Sequence, residues 1–480
     1  FKMKVYKTNQ IRNIALLGNA GSGKTTLAEA MLLEGGVINR KGEVVAKNTV
    51  SDFNLIEQEY GNSLMSSILY TECKDKKINI LDTPGMDDLN GSVISSLEVA
   101  DMGLMMVNSS AGVEAGTEAA GRHAETKHTP LTFVFNQLDH ENANFEQSLE
   151  KCRYTFGNKV TVVQYPLETG PTFNSIIDVM KMKMYKYGKE GTQPEVVEIP
   201  ASEKSRAEEY QNQLFEMAAE NDEALMEKYF ENGSLTEEEL LKGMKLGINQ
   251  RDLFPVVCGC AKKSVGISRI MEFITEVAPA PNERPMRKIE AGKEVKMDET
   301  DAPSLFVFKT SVESHVGEIT YFKVMSGKIT ESLDLVNMTN GSKERMSQLF
   351  VSAGKNRVKV PEIVAGDIAC TVKLKDTKYN QTLTLKESGT QFAPMVFATP
   401  RHRVAVKAVS ETDDEKVGEV LNRIKYEDPT YVIEYSKELR QLIVHSQGEY
   451  HMNVLKWYFD NVHKIEVEYK EPRIPYRETI

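Results

Sequence analysis

Gly18-Asn19-Ala20-Gly21-Ser22-Gly23-Lys24-Thr25-Thr26 is a run suited to holding phosphate. Its glycines let backbone N–H groups turn inward around an anion. The apolar run Ile11–Leu17 precedes it, and Leu27, Ala30 and Met31 fall on one helical face after it, so the loop joins a strand to a helix. The helix N-terminus adds partial positive charge. In that setting Lys24 reaches the β and γ phosphates of a nucleotide, and the Thr25 hydroxyl holds Mg²⁺. A second apolar run, 78–81, ends on Asp82, which can bind the same Mg²⁺ through water. Thr83-Pro84-Gly85 follows, and the Gly85 N–H can meet a γ-phosphate.

The other end of a nucleotide has its own candidates. A third apolar run, 131–135, leads into Asn136-Gln137-Leu138-Asp139. A carboxylate accepts two hydrogen bonds from the guanine edge, which adenine cannot offer, so Asp139 selects guanine while Asn136 pins the loop. A fourth run, 253–258, leads into Gly259-Cys260-Ala261-Lys262. There a backbone N–H can meet the guanine oxygen, and the Lys262 stem can cover the ring. Cys258 and Cys260 read as small buried residues leaving a strand rather than as metal ligands.

Four motifs in this order resemble the translational GTPases. The gap of more than a hundred residues between Asp139 and Cys260 narrows the resemblance to elongation factor G, which carries an inserted subdomain there. The resemblance implies an α/β P-loop GTPase domain with an α+β insert, then a β-barrel domain, then a ferredoxin-like βαββαβ domain. The expected limits are 3–280 for the GTP-binding domain with its insert at 163–250, 281–300 for a linker, 301–395 for the barrel and 400–475 for the last domain. Tyr165-Pro166-Leu167 opens the insert, and Thr236-x-x-Glu239 starts a helix near its end. Pro279-Ala280-Pro281 punctuates the linker. Residues 302–390 alternate apolar and polar, and Ala365-Gly366-Asp367-Ile368 resembles the family's second domain. Thr412-x-x-Glu415 is expected to cap a helix with Val417, Val420, Leu421 and Ile424 on one face, and Gly448-Glu449-Tyr450-His451 resembles the family's Gly-Glu-Leu-His. Tyr476-Arg477-Glu478-Thr479-Ile480 resembles the opening of a fourth domain, so the chain is expected to be a fragment without domains IV and V. Phe1-Lys2 reads as a cloning remnant ahead of a native Met3.

The departures from the family cluster at the chemistry. The family has His after Asp-Thr-Pro-Gly, where it orients the attacking water; here the residue is Met86, which has neither charge nor N–H. Asp87 beside it carries a charge unfavourable near a γ-phosphate. The family's Arg-Gly-Ile-Thr in the first switch aligns with Tyr60-Gly61-Asn62-Ser63, leaving the Ser63 hydroxyl as the third metal candidate beside Thr25 and Asp82, with Ser66 or Ser67 as alternatives of register. Gln137 replaces a Lys whose stem packs on the base, costing about 1 kcal/mol of binding. Gly21 replaces an Asp. The set spares the binding of GTP or GDP with Mg²⁺ and removes the trigger of hydrolysis.

The 480 residues suffice for about three domains of roughly 150 residues. The net charge of −11 excludes a simple basic nucleic-acid coat. Five sparse cysteines suggest a reducing, cytoplasmic setting, and no run is long and apolar enough for a membrane. The eight histidines have no metal-ligand spacing. The resemblance implies a monomer that docks on the ribosome, meeting ribosomal RNA and stalk protein. It would touch the transfer RNA–messenger RNA complex only through the missing domains. An acidic helix at 203–231 is a solvated face or a face for a basic partner. Arg401-His402-Arg403 starts a strand or touches ribosomal RNA. The leading expectation is a factor in translocation with weak or absent hydrolysis. A competent GTP-hydrolysing elongation factor, a release or ribosome-protection factor, and a non-hydrolysing nucleotide-sensing ribosome-binding factor are the alternatives.

Overall fold

The computed structural model describes residues 4–473 apart from 189–192, 290, 291, 293, 314 and 387. The expectations about Phe1-Lys2-Met3 and about the stretch 476–480 lie outside the described residues.

Parallel strands all present their C-terminal ends on one edge, and this governs the first unit. Ile11–Leu17 sits between Lys76–Asp82 and Met102–Asn108, parallel to both. Leu131–Asn136, Phe254–Cys258 and Val160–Val162 extend the sheet in parallel on one side. Ser67–Cys73 closes the other edge in antiparallel pairing. Ile11–Leu17 and Leu131–Asn136 are buried along their whole length, which is why they read as unbroken apolar runs. The phosphate loop, Asp82, Asn136 and Cys260 all follow strand C-termini and therefore share one edge.

Within the region expected as the insert, Glu195–Val197, Lys183–Lys186, Ser175–Asp178 and Gln164–Pro166 form a four-stranded antiparallel sheet in that order. The single acidic helix expected over 203–231 is two helices, Lys204–Ala219 and Glu223–Asn232. Asp222 ends the first run and caps the second, its carboxylate accepting from Leu225 N–H at 3.1 Å. The expected capping box is formed at Glu237–Gln250: Thr236 N–H donates to Glu239 at 3.0 Å, and Glu239 N–H donates back to Thr236 Oγ1 at 3.3 Å.

After the short paired strands Arg287–Lys288 and Glu294–Val295, an eight-stranded antiparallel sheet curls around one core that includes Leu305, Val307, Phe322, Leu349 and Leu383. The C-terminal unit pairs Val432–Ser436, Gln441–Ser446, His402–Ala408 and Val467–Lys470 in that order, all antiparallel. With helices Asp414–Glu427 and Glu449–Trp457 this is the ferredoxin-like βαββαβ order. Val417, Val420, Leu421 and Ile424 are buried as expected. Thr412 does not cap that helix: Asp413 occupies the N-cap with no side-chain cap bond, and the Thr412 hydroxyl bonds Ser410 Oγ at 2.7 Å instead.

A buried polar chain fastens the first unit to the barrel. Lys77, with no exposed surface, donates to Asp367 Oδ1 at 2.7 Å and Oδ2 at 2.9 Å. Asn79 donates to Asp367 Oδ1 and Asn13 Oδ1, each at 2.8 Å. Asn13 donates to Asp101 at 2.7 Å, and Lys323 donates to Asp101 Oδ1 at 3.0 Å. Lys77, Asn79, Asn13 and Asp101 belong to the first unit; Asp367 and Lys323 belong to the barrel.

The C-terminal unit is fastened differently. Ile56, Leu64, Leu89 and Val454 form a small apolar cluster, with Met86, Tyr60, Tyr450 and Trp457 packed against it. Helix Glu449–Trp457 has Gly448 at its N-cap and no capping side chain of its own. Asp88 supplies the missing acceptor across the interface, taking a hydrogen bond from Tyr450 N–H at 2.9 Å. A Cβ at position 448 would stand 2.2 Å from both Asp88 oxygens, so only glycine admits this approach.

Candidate nucleotide site

Helix Lys24–Glu34 begins where the glycine loop ends, with Gly23 at its N-cap at φ +95°. A side chain at Gly23 would strike Asn136 Nδ2, so glycine here permits both the turn and the approach of the base-side loop. Lys24 is buried, and its Nζ donates to Gly18 O and Asn19 O, each at 2.9 Å. Burial pulls its ammonium down to about 8, against the opposing pull of Asp82. Gly85 lies against the loop so closely that a Cβ would stand 2.4 Å from Ala20 N and 2.5 Å from Lys24 Nζ. Asn19 Oδ1 accepts from Gly116 N–H at 3.1 Å, holding the loop's outer limb.

Beside the ammonium is a set of hard oxygens. Thr25 Oγ1 donates to Asp82 Oδ2 at 2.8 Å and lies 3.0 Å from Ser63 Oγ. The register expected for the first switch therefore brings Ser63 to the site. Ser66 and Ser67 go elsewhere: Ser66 O accepts from Lys309, and Ser67 Oγ donates to Ser51 O at 2.6 Å. Two residues were missed from sequence. Ser51 Oγ donates to Asp82 Oδ2 at 2.6 Å, and Asp52 lines the same cavity. Burial and the proximity of Asp82 push the Asp52 carboxyl up to about 8. Burial also raises Asp82, against hydrogen bonds from Ser51 and Thr25. Asp82 Oδ1 and Asp52 Oδ1 are buried without hydrogen-bond partners.

Two hydroxyls, a buried carboxylate and orphaned carboxylate oxygens fit a hard divalent cation. Among the described residues no group of three or more His, Cys, Asp and Glu forms an all-protein cage.

Asn136 knits the base side together. Its Nδ2 donates to Ser22 O at 2.9 Å, and its Oδ1 accepts from Ala261 N–H at 2.9 Å. Gln137, at φ +61°, donates to Gly21 O at 2.8 Å, so its amide is tied to the phosphate loop. Asp139 stands 3.4 Å from Lys263 Nζ. Burial raises its carboxyl, but a hydrogen bond from the Cys260 thiol and the Lys263 charge more than offset this and leave it below the usual range. Cys260 and Cys258 are buried as the strand reading expected. Lys262 is exposed, and the ammonium nearest Asp139 is that of Lys263, which the sequence reading passed over.

The phosphate side opens on a cavity of about 220 Å³ lined by Ala20, Gly21, Gly23, Lys24, Thr25 and Thr26 on one side and by Asp52, Ser63, Gly85, Met86 and Gln137 on the other; of the base-side candidates only Gln137 lines it, and Asn136, Asp139, Cys260, Ala261 and Lys262 do not. Met86 is half-buried, with its backbone extended ahead of the turn Asp87–Leu89. Asp87 is exposed and does not line this cavity. The imidazole of His123 lines a separate cavity of about 20 Å³ with Gly85, Met86 and Asp87.

Residues 9–280 match the family model for the elongation factor Tu GTP binding domain. Residues 302–386 match elongation factor G domain 2, and residues 397–471 match elongation factor G, domain III. The chain belongs to the elongation factor G-like translational GTPases. Membership carries guanine-nucleotide binding with it. This elongation factor G-like chain is also similar to a crystal structure of ttk003000868 from Thermus thermophilus. The two share 29 % identity, and the match covers 98 % of this chain and 68 % of that one, with a TM-score of 0.87. Among the described residues, no helix of this elongation factor G-like chain is long and apolar enough to cross a membrane.

Proposed function

We propose that this chain is the GTP-binding portion of a divergent elongation factor G paralogue that acts on the ribosome in translocation and uses GTP more as a ligand than as a substrate. The reading takes residues 3–280 as the GTP-binding domain, with its insert at 163–250. It takes 301–395 and 400–475 as the second and third domains. The observation that carries the reading is the thioether of Met86 at the wall of a cavity also lined by Lys24, Thr25, Ser63 and Gly85.

Lys24 and the loop amides would hold the β and γ phosphates, Asp139 would hold guanine, and Thr25, Ser63 and Asp82 would hold Mg²⁺; the Ala261 N–H is already taken by Asn136 Oδ1. When bound, the cation neutralises phosphate charge. Met86 can exclude water from its own volume but cannot accept or donate a proton. Binding can still drive a switch, to the extent that GTP and GDP prefer different arrangements of Met86, Asp88 and the C-terminal unit.

The base-side assignment is tested by Asp139→Asn. Loss of a charge-assisted hydrogen-bond pair is expected to weaken GTP about tenfold to a hundredfold and to admit xanthosine triphosphate. Fluorescence titration with both nucleotides measures this, and unchanged affinity for GTP would remove Asp139 from the site.

A further inference from the structure

We propose that Lys41 is the latch of a strap, residues 41–50, that closes over the bound nucleotide and sets its residence time. The inference rests on the nucleotide reading above and assigns a positioning residue that none of the four motifs contains.

The strap is anchored on the phosphate-binding helix. Glu29 has no exposed surface, and its two oxygens accept from the two ends of a loop: Oε2 from Gly42 N–H at 2.8 Å and Oε1 from Val50 N–H at 2.5 Å. The neck is tight, since a Cβ at Gly42 would lie 2.6 Å from Asn48 O and 2.8 Å from Thr49 Cα. Glu43 N–H donates to Asn48 Oδ1 at 2.7 Å and closes the loop further. Val44 lines the phosphate cavity together with Gly21, Gly23 and Gln137.

Lys41, just before the neck, reaches the base side. Its Nζ donates to Ala261 O at 3.2 Å, Lys262 O at 2.5 Å and Ser264 Oγ at 3.1 Å. An ammonium has N–H groups enough to reach all three. All three belong to the loop whose Ala261 N–H donates to Asn136 Oδ1. One segment therefore touches the phosphate end through Val44 and the base end through Lys41, while hinging on Glu29. A nucleotide that leaves past the strap must first part Lys41 from the base loop. Closure after binding would make the latch weigh on departure.

The test is the dissociation of a fluorescent guanosine diphosphate, followed by stopped flow, from wild type, Lys41→Met and Lys41→Arg. Charge-assisted hydrogen bonds of this kind hold by at least about tenfold. Lys41→Met is thus expected to release nucleotide at least about tenfold faster, with association within about threefold of wild type. Lys41→Arg, which keeps a charge and several N–H donors, is expected to stay near wild type. Melting of nucleotide-free Lys41→Met is expected to fall only by what the lost hydrogen bonds contribute, leaving the protein folded at the assay temperature. Equal dissociation from wild type and Lys41→Met overturns the latch, as does nucleotide-free Lys41→Met being unfolded at the assay temperature, which would assign the effect to folding. If wild type itself retains no guanosine diphosphate, or retains adenosine diphosphate equally, the nucleotide reading fails and the latch fails with it.

Discussion

Met86→His is expected to raise ribosome-stimulated phosphate release by about 10²-fold or more, because a positioned acid–base group is worth about 10²–10⁴ in rate. That span is roughly 3–5 kcal/mol of barrier. The substitution puts an imidazole on the wall of a cavity already lined by Lys24, Thr25 and Ser63, so little else has to be built. Its cost falls on packing, since the thioether also lies against the apolar cluster of Ile56, Leu64, Leu89 and Val454. Met86→Leu separates the two roles: it keeps the apolar contact and is expected to hydrolyse as slowly as wild type. Phosphate release by the full-length protein with ribosomes, measured for all three, decides the matter. A wild-type rate equal to that of the His variant would mean that hydrolysis is fired by another group.

Lys77→Met is expected to destabilise the protein by about 3–5 kcal/mol, because it strands the Asp367 carboxylate in a buried interface. Lys77 has no exposed surface, and the Asp367 side chain is only 10 % exposed. Asn79 and the Ile368 N–H, both bound to Asp367 Oδ1 at 2.8 Å, cannot replace the lost charge. Adding Asp367→Asn to Lys77→Met removes that charge while leaving a carbonyl oxygen for those two donors. The double variant is expected to recover most of the loss, since removing both members of a buried pair is often close to neutral. Urea unfolding of both variants beside wild type measures this. A double variant no more stable than Lys77→Met would mean that the pair is not what fastens the barrel to the first unit.

Much of the site was legible because its motifs are local. A glycine loop between an apolar run and a helical face has few other readings, and strand C-termini of a parallel sheet must share an edge. Ser51, Asp52, Glu29 and Lys41 were not legible. They lie outside the glycine and Asp-Thr-Pro-Gly motifs; Asp52 lines the cavity, while Ser51 bonds Asp82, Glu29 bonds Gly42 and Val50, and Lys41 bonds the loop at 261–264. Lys77 and Lys323 looked like ordinary strand lysines, and nothing local marks a lysine whose partner lies on another unit. The acidic run over 203–231 is uniform in composition, but it contains Asp222, a residue that favours an N-cap over a helix interior, and the helix breaks there. Thr412 failed for a related reason: its spacing to Glu415 fits a capping box, but the neighbouring Ser410 hydroxyl took the bond.

The Asp88 carboxylate at the head of helix Glu449–Trp457 gives that helix a borrowed beginning. Tyr450 N–H is bonded only while the loop after Gly85 stays in place, so the protection of that amide against solvent hydrogen follows the position of the loop. The C-terminal unit thus carries a gauge of the nucleotide cavity, far from it in sequence and readable by hydrogen exchange without any label. A helix with its own serine or aspartate cap would keep its first turn whatever the loop did, and the gauge would read nothing.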